Sequence, residues 1–144
     1  MNLGPAIQES GAVVMHGALP VVWAERSLMA QVLQNLIGNA IKFRGKEAPA
    51  ISVQAEKSGE EWLFSVSDNG IGIVPESIEH IFVVFQRLHA RAEYPGNGIG
   101  LAICKKIIEH YGGKIWVEAQ AGHGSTFKFT IPGTGTNGKS FRLL

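Results

Sequence analysis

Apolar side chains recur in two distinct rhythms along this chain, and the rhythms mark out its elements. Over residues 26–43 the apolar positions Leu28, Met29, Val32, Leu33, Leu36, Ile37, Ala40 and Ile41 return at steps of three and four. That spacing predicts a helix with one face in the core. Asn35 and Asn39 lie four apart and therefore share a face of their own. Residues 51–55 and 62–67 alternate or cluster as strand formers on either side of Lys57-Ser58-Gly59-Glu60, which predicts a hairpin. Residues 12–15 and 21–24 are short β-rich runs parted by Gly17 and Pro20. Residues 114–118 and 125–131 are two further predicted strands, parted by Gly122-His123-Gly124. Helical signals return over residues 75–81, with Pro75 in the first turn, and over residues 98–111, stopped by Gly112-Gly113. Residues 86–98 lose all periodicity and read as a long loop.

The elements therefore run β-β-α, β-β-α, α-β-β. Strands joined by tight turns imply a mixed, mostly antiparallel sheet of about five strands, with three helices on one face. The expected fold class is α/β, a two-layer sandwich. Residues 1–11 read as a lead-in or linker remnant, residues 12–132 as the domain, and the Gly/Thr/Asn/Ser-rich residues 133–144 as a flexible tail.

Composition narrows the function classes. A chain of 144 residues with 45% hydrophobic and 17% charged positions is one ordinary globular domain. Thirteen basic residues against twelve acidic, with no basic stripe, argue against nucleic acid as a partner. The single cysteine, Cys104, has no internal disulfide partner, and no leader or membrane-length apolar run is seen, so a cytoplasmic setting without membrane contact is expected. The five histidines are scattered without metal-ligand spacing, and no zinc site is expected.

The candidate chemistry begins at Asp68-Asn69-Gly70-Ile71-Gly72, where a carboxylate ends an apolar strand pattern. An aspartate accepts hydrogen bonds from an exocyclic amine, and a glycine lets backbone approach a flat ligand closely. Further on, Gly96, Gly98 and Gly100 open a helix whose free N–H groups favour an anion such as a triphosphate. Two other matches carry less. Gly133-Thr134-Gly135-Thr136-Asn137-Gly138-Lys139-Ser140 fits the P-loop pattern, yet only four residues follow it and the helix that a P-loop needs is missing. Gly96 to Gly100 is G-x-G-x-G after a loop, unlike the strand-borne G-x-G-x-x-G of dinucleotide folds.

Five stretches now stand in a fixed order: residues 31–43 with Asn35 and Asn39, the corner at Asp68, Ile81-Phe82-Val83-Val84-Phe85-Gln86-Arg87, Gly96-Asn97-Gly98-Ile99-Gly100-Leu101, and Gly122-His123-Gly124-Ser125-Thr126-Phe127. Together they resemble the asparagine, glycine and phenylalanine boxes of the ATP-binding catalytic domain of sensor histidine kinases, within the gyrase, heat-shock, histidine kinase and mismatch-repair superfamily. The stretches around Tyr94, residues 102–106 and residues 113–118 look most like the phytochrome-like and PAS-linked group. The resemblance implies a Bergerat-type fold, ATP and Mg²⁺ as cofactors, and Asn39 as the metal ligand. It implies that Asp68 reads the adenine amine, that Gly70 and Gly72 admit the base, and that Ile73 and Phe43 wall it. Lys42 and Arg87 would meet phosphate oxygens, Gly96, Gly98, Gly100 and Leu101 would belong to the phosphate loop, and Thr126, after the last glycine pair, would supply a phosphate or pocket hydroxyl. The loop 86–98 would be a lid. Asn97 stands where the family usually has a small residue such as threonine, so the loop's phosphate contacts are expected from backbone.

Position 35 separates kinase from ATPase. The related ATPases carry a glutamate four residues before the metal-binding asparagine, where it activates the attacking water; here Asn35 holds that place. An amide is a very poor proton acceptor at neutral pH, so slow hydrolysis and transfer to a better nucleophile are expected. The resemblance implies an acceptor histidine on an upstream helical dimerisation domain, a response regulator as indirect partner, and a monomeric fragment. None of the five histidines here sits in such a helical context near the N-terminus. The alternative is a non-enzymatic, nucleotide-dependent binding switch of the anti-sigma kind.

Overall fold

Alternation along the strands decides which side chains meet the helices, and the layers follow from it. A computed structural model describes residues 8–17, 19–73, 81–82, 100–119, 122–133 and 139–142. In chain order these form β1 (Val13–His16), β2 (Val21–Ala24), α1 (Arg26–Lys42), β3 (Ala50–Ser58), β4 (Glu61–Asp68), α2 (Gly100–His110), β5 (Ile115–Ala119), β6 (Ser125–Pro132) and β7 (Lys139–Arg142). Five strands make one mixed sheet in the order β1-β3-β4-β6-β5, with β1 parallel to β3 and every other pair antiparallel. This is the expected two-layer α/β sandwich. The third expected helix, over residues 75–81, falls almost wholly outside the described residues.

Odd positions of β3 and β6 and even positions of β4 face the helices. Ile51 and Val53, then Phe64 and Val66, then Phe127, Phe129 and Ile131 are buried, and the rings of Phe64 and Phe129 stack with centroids 4.9 Å apart. The opposite face is polar and carries the Lys128–Glu118 ion pair at 3.1 Å. Helix α1 buries Met29, Val32, Leu33, Leu36, Ile37, Ala40 and Ile41, the stripe that its periodicity predicts apart from Leu28, which is half-buried. Helix α2 buries Leu101, Ala102, Cys104, Ile107 and Ile108. It stops where the sequence places Gly112-Gly113: Gly112 N–H donates to the Glu109 carbonyl and Gly113 N–H to the Ile108 carbonyl. The two ends of the helical layer are also tied, because the Glu25 N–H at the start of α1 donates to the Tyr111 hydroxyl at 2.9 Å.

The tail differs from expectation. Lys139–Arg142 is not loose but pairs antiparallel with β2, Ala24 opposite Lys139 and Val21 opposite Arg142. Alone, β2 would leave a row of backbone N–H and C=O groups without partners, and the tail supplies them. The pairing also removes the P-loop reading, since Lys139 and Ser140 lie in an extended strand rather than at a helix start.

Candidate functional site

The site grows from the last residue of β4. Asp68 sits opposite Ile51 on one side and Ser125 on the other, so its side chain shares the helix-facing side of the sheet with Phe64 and Val66. Both carboxylate oxygens are held: Gly70 N–H donates to Oδ1 at 2.8 Å and the Ser125 hydroxyl donates to Oδ2 at 2.8 Å. Each oxygen keeps a lone pair for a further donor. Holding both oxygens fixes the carboxylate before any ligand arrives.

Two glycines let the surrounding backbone close on this corner. A Cβ on Gly70 would come within 2.6 Å of the Phe43 carbonyl oxygen, and the next residue, Ile71, donates its N–H to that same carbonyl at 3.1 Å. The end of α1 is thereby fastened to the corner. Gly124 has φ +81°, and a Cβ there would overlap the Asp68 carbonyl oxygen, so the β5–β6 turn can lie on the corner only without a side chain. Gly122 N–H adds a bond to the Ile71 carbonyl at 2.6 Å. Asn69 secures the other side, accepting from Ala50 N–H and donating to the Ala48 carbonyl.

Between these pieces lies a small, partly open cleft. Asn39, Ala40 and Phe43 line it from α1; Asp68, Gly72 and Ile73 from the corner; Ser125 and Phe127 from β6. A mostly apolar wall with a few fixed polar groups suits a flat heteroaromatic ligand. Phe82 stands edge-on to Phe127, with centroids 6.2 Å apart. Asn39 is half-buried, and its side-chain amide has no hydrogen bond to another described residue. An amide in that state suits a ligand or a hydrated cation. Among the described residues no three His, Cys, Asp or Glu side chains converge.

The structure thus gathers Asn39, Phe43, Asp68, Gly72 and Ile73 around one cleft, with Gly70 as a donor to the carboxylate. Lys42 is exposed beyond the lining. Asn35, Gly100 and Leu101 lie elsewhere: the Asn35 amide donates to the Gly100 carbonyl between the two helices, and Leu101 is in the core. Arg87, Gly96 and Gly98, with the expected lid, lie outside the described residues. Thr126 corrects the sequence reading. Its hydroxyl is 3.0 Å from that of Ser67 on the polar face of the sheet, while Ser125, one residue earlier, reaches Asp68. Strand alternation with the buried Phe127 and Phe129 carries the signal that would have selected Ser125.

Residues 24–135 match the model of the histidine kinase-, DNA gyrase B- and HSP90-like ATPase family. The chain belongs to this family. Cyanobacterial phytochrome A of Nostoc sp. is 60% identical over 131 residues, covering 91% of this chain and 17% of that protein, in keeping with the phytochrome-like group. The chain therefore spans about a sixth of the length of that curated relative. The nucleotide-free catalytic domain of histidine kinase ThkA superposes with a TM-score of 0.75 at 34% identity, covering 92% of this chain and 87% of that one. ThkA has also been solved in complex with the response regulator protein TrrA, and there the match has a TM-score of 0.72 at 33% identity, covering 92% of this chain and 37% of the other. The fold is that of a histidine kinase catalytic domain, and within the described residues no helix is long and apolar enough to cross a membrane.

Proposed function

We propose that this domain binds Mg-ATP in the cleft and holds the terminal phosphoryl group for transfer to a histidine on a separate helical dimerisation domain, from which a response regulator draws it. The observation that carries this reading is the Asp68 carboxylate, fixed by Gly70 and Ser125 at one end of an apolar cleft that has the Asn39 amide, without a partner among the described residues, on its α1 side. Asp68 would accept from the adenine amine, with Phe43, Ile73 and Phe127 as walls. Asn39 would offer its amide oxygen to Mg²⁺, which when bound neutralises phosphate charge. Exposed Lys42, one turn on, and Arg87 would meet phosphate oxygens, and backbone N–H groups of residues 96–100 would meet the rest. A compartment that holds both ATP and a response regulator is the cytoplasm, and there we place the domain. The amide at position 35 favours transfer over hydrolysis, because the residue is no general base.

Calorimetric titration with Mg-ATP tests the pocket. A charge-assisted hydrogen bond to the base contributes on the order of 1.5–3 kcal/mol, so Asp68→Ala should bind Mg-ATP at least about tenfold more weakly than the wild type. Equal affinity in the two proteins would remove Asp68 from the site.

A further inference from the structure

Asn35 stands in the motif beside Asn39 but does not line the cleft. Its Nδ2–H donates to the Gly100 carbonyl at 3.3 Å, and its Cγ and Oδ1 lie 3.7 Å from where a Gly100 Cβ would be. One turn further along α2 the Cys104 thiol donates to the Val32 carbonyl on α1. All these groups are at the contact of α1 with the opening turn of α2. Few other polar links cross this layer: besides the thiol bond, the described hydrogen bond between the helical segments is Glu25 to Tyr111, at the far end of both. Gly100 begins α2, directly after the glycine loop, and Asn39 lies one turn along α1 from Asn35.

We infer that Asn35 is a positioning residue that fastens the first turn of α2 to α1, and so sets the spacing between Gly100, where α2 opens, and Asn39. The inference rests on the proposed nucleotide site. Its side chain needs no contact with the nucleotide, and what the position requires is a hydrogen-bond donor of asparagine's reach. The adenine corner is built from β4, the β5–β6 turn and the end of α1, away from this junction. Loss of the bolt should therefore be felt by the phosphates and not by the base.

Calorimetry with two ligands separates these effects. Asn35→Leu keeps the branching and the number of side-chain heavy atoms, carries no charge and removes the donor; it should weaken Mg-ATP binding about fivefold, the size of one hydrogen bond to a backbone carbonyl, and leave adenosine affinity within about twofold. Asn35→His, whose Nδ1–H occupies nearly the same place, should restore most of the loss. Equal loss for both ligands, no loss for either, or no recovery with histidine would overturn the inference. Should Asn35→Leu not fold, Asn35→Ala removes the donor without new bulk and decides by the same ratio. If the wild type fails to bind Mg-ATP, the nucleotide site itself falls, and the two failures stay distinct.

Discussion

Cys104 has no exposed surface, and burial pushes its thiol from an ordinary 9.0 up to about 12, against the smaller opposing pull of the Asn35 amide. A thiol so placed is a small core side chain and a poor nucleophile. The direction of its effect on stability follows from linkage. Below pH 9 both the folded and the unfolded chain keep the proton, and the residue adds no pH dependence. Between about 9 and 12 the unfolded thiol ionises while the folded one does not, so the fold loses stability as pH rises. Urea midpoints measured from pH 8 to 10.5 should fall more steeply for the wild type than for Cys104→Ala. Parallel curves would place the thiol in a wetter setting. Motif reading reached a limit here: Asp68 could be singled out because its glycine neighbours are sequence-local, and Asn39 and Ile73 through the resemblance of the motifs that hold them, while Ser125 needed the β4–β6 register that sets it opposite Asp68.

Among the elements, β2 and β7 form a unit of their own beside the main sheet. β2 leads straight into α1, and its partner lies beyond the span that matches the family. Removing residues 134–144 should expose the backbone of residues 21–24 and cost about 1–2 kcal/mol, the net worth of a few surface hydrogen bonds. Hydrogen exchange should then speed up at residues 21–24 and leave β4 and β6 protected, with Mg-ATP affinity within about twofold. Unchanged exchange at residues 21–24 would mean that the pairing contributes nothing. The tail was unreadable in sequence because four residues after a Gly-rich run carry no periodicity, and what orders them is a strand edge more than a hundred residues away. Helices α1 and α2 were legible for the opposite reason, since their stripes and the glycine stop of α2 are local signals.

At the scale of the whole molecule, the helical layer and the sheet each supply one part of the proposed site. The sheet holds the Asp68 corner, α1 brings Asn39, and the contact of α1 with α2 holds Gly100 against Asn35. On the proposed function, a domain built so would hold its nucleotide for an acceptor on a separate domain. With Mg-ATP labelled on the terminal phosphate and a histidine-bearing helical dimerisation domain added, label should appear on that domain as an acid-labile, base-stable phosphate, while release of free phosphate by the domain alone stays slow. Tight ATP binding with no transfer to any such acceptor would favour the nucleotide-dependent binding switch instead.

The order of elements, the buried stripes, the glycine stop of α2 and the corner at Asp68 were determined by sequence alone, because each depends on side chains within a few positions of one another. Tertiary structure decided which hydroxyl meets Asp68, where the Asn35 amide is used, and that the tail closes on β2. Those depend on strand register and helix contact, which bring together residues 57, 65 and over a hundred positions apart. No local pattern encodes such pairings, because each exists only after the sheet and the helical layer have packed.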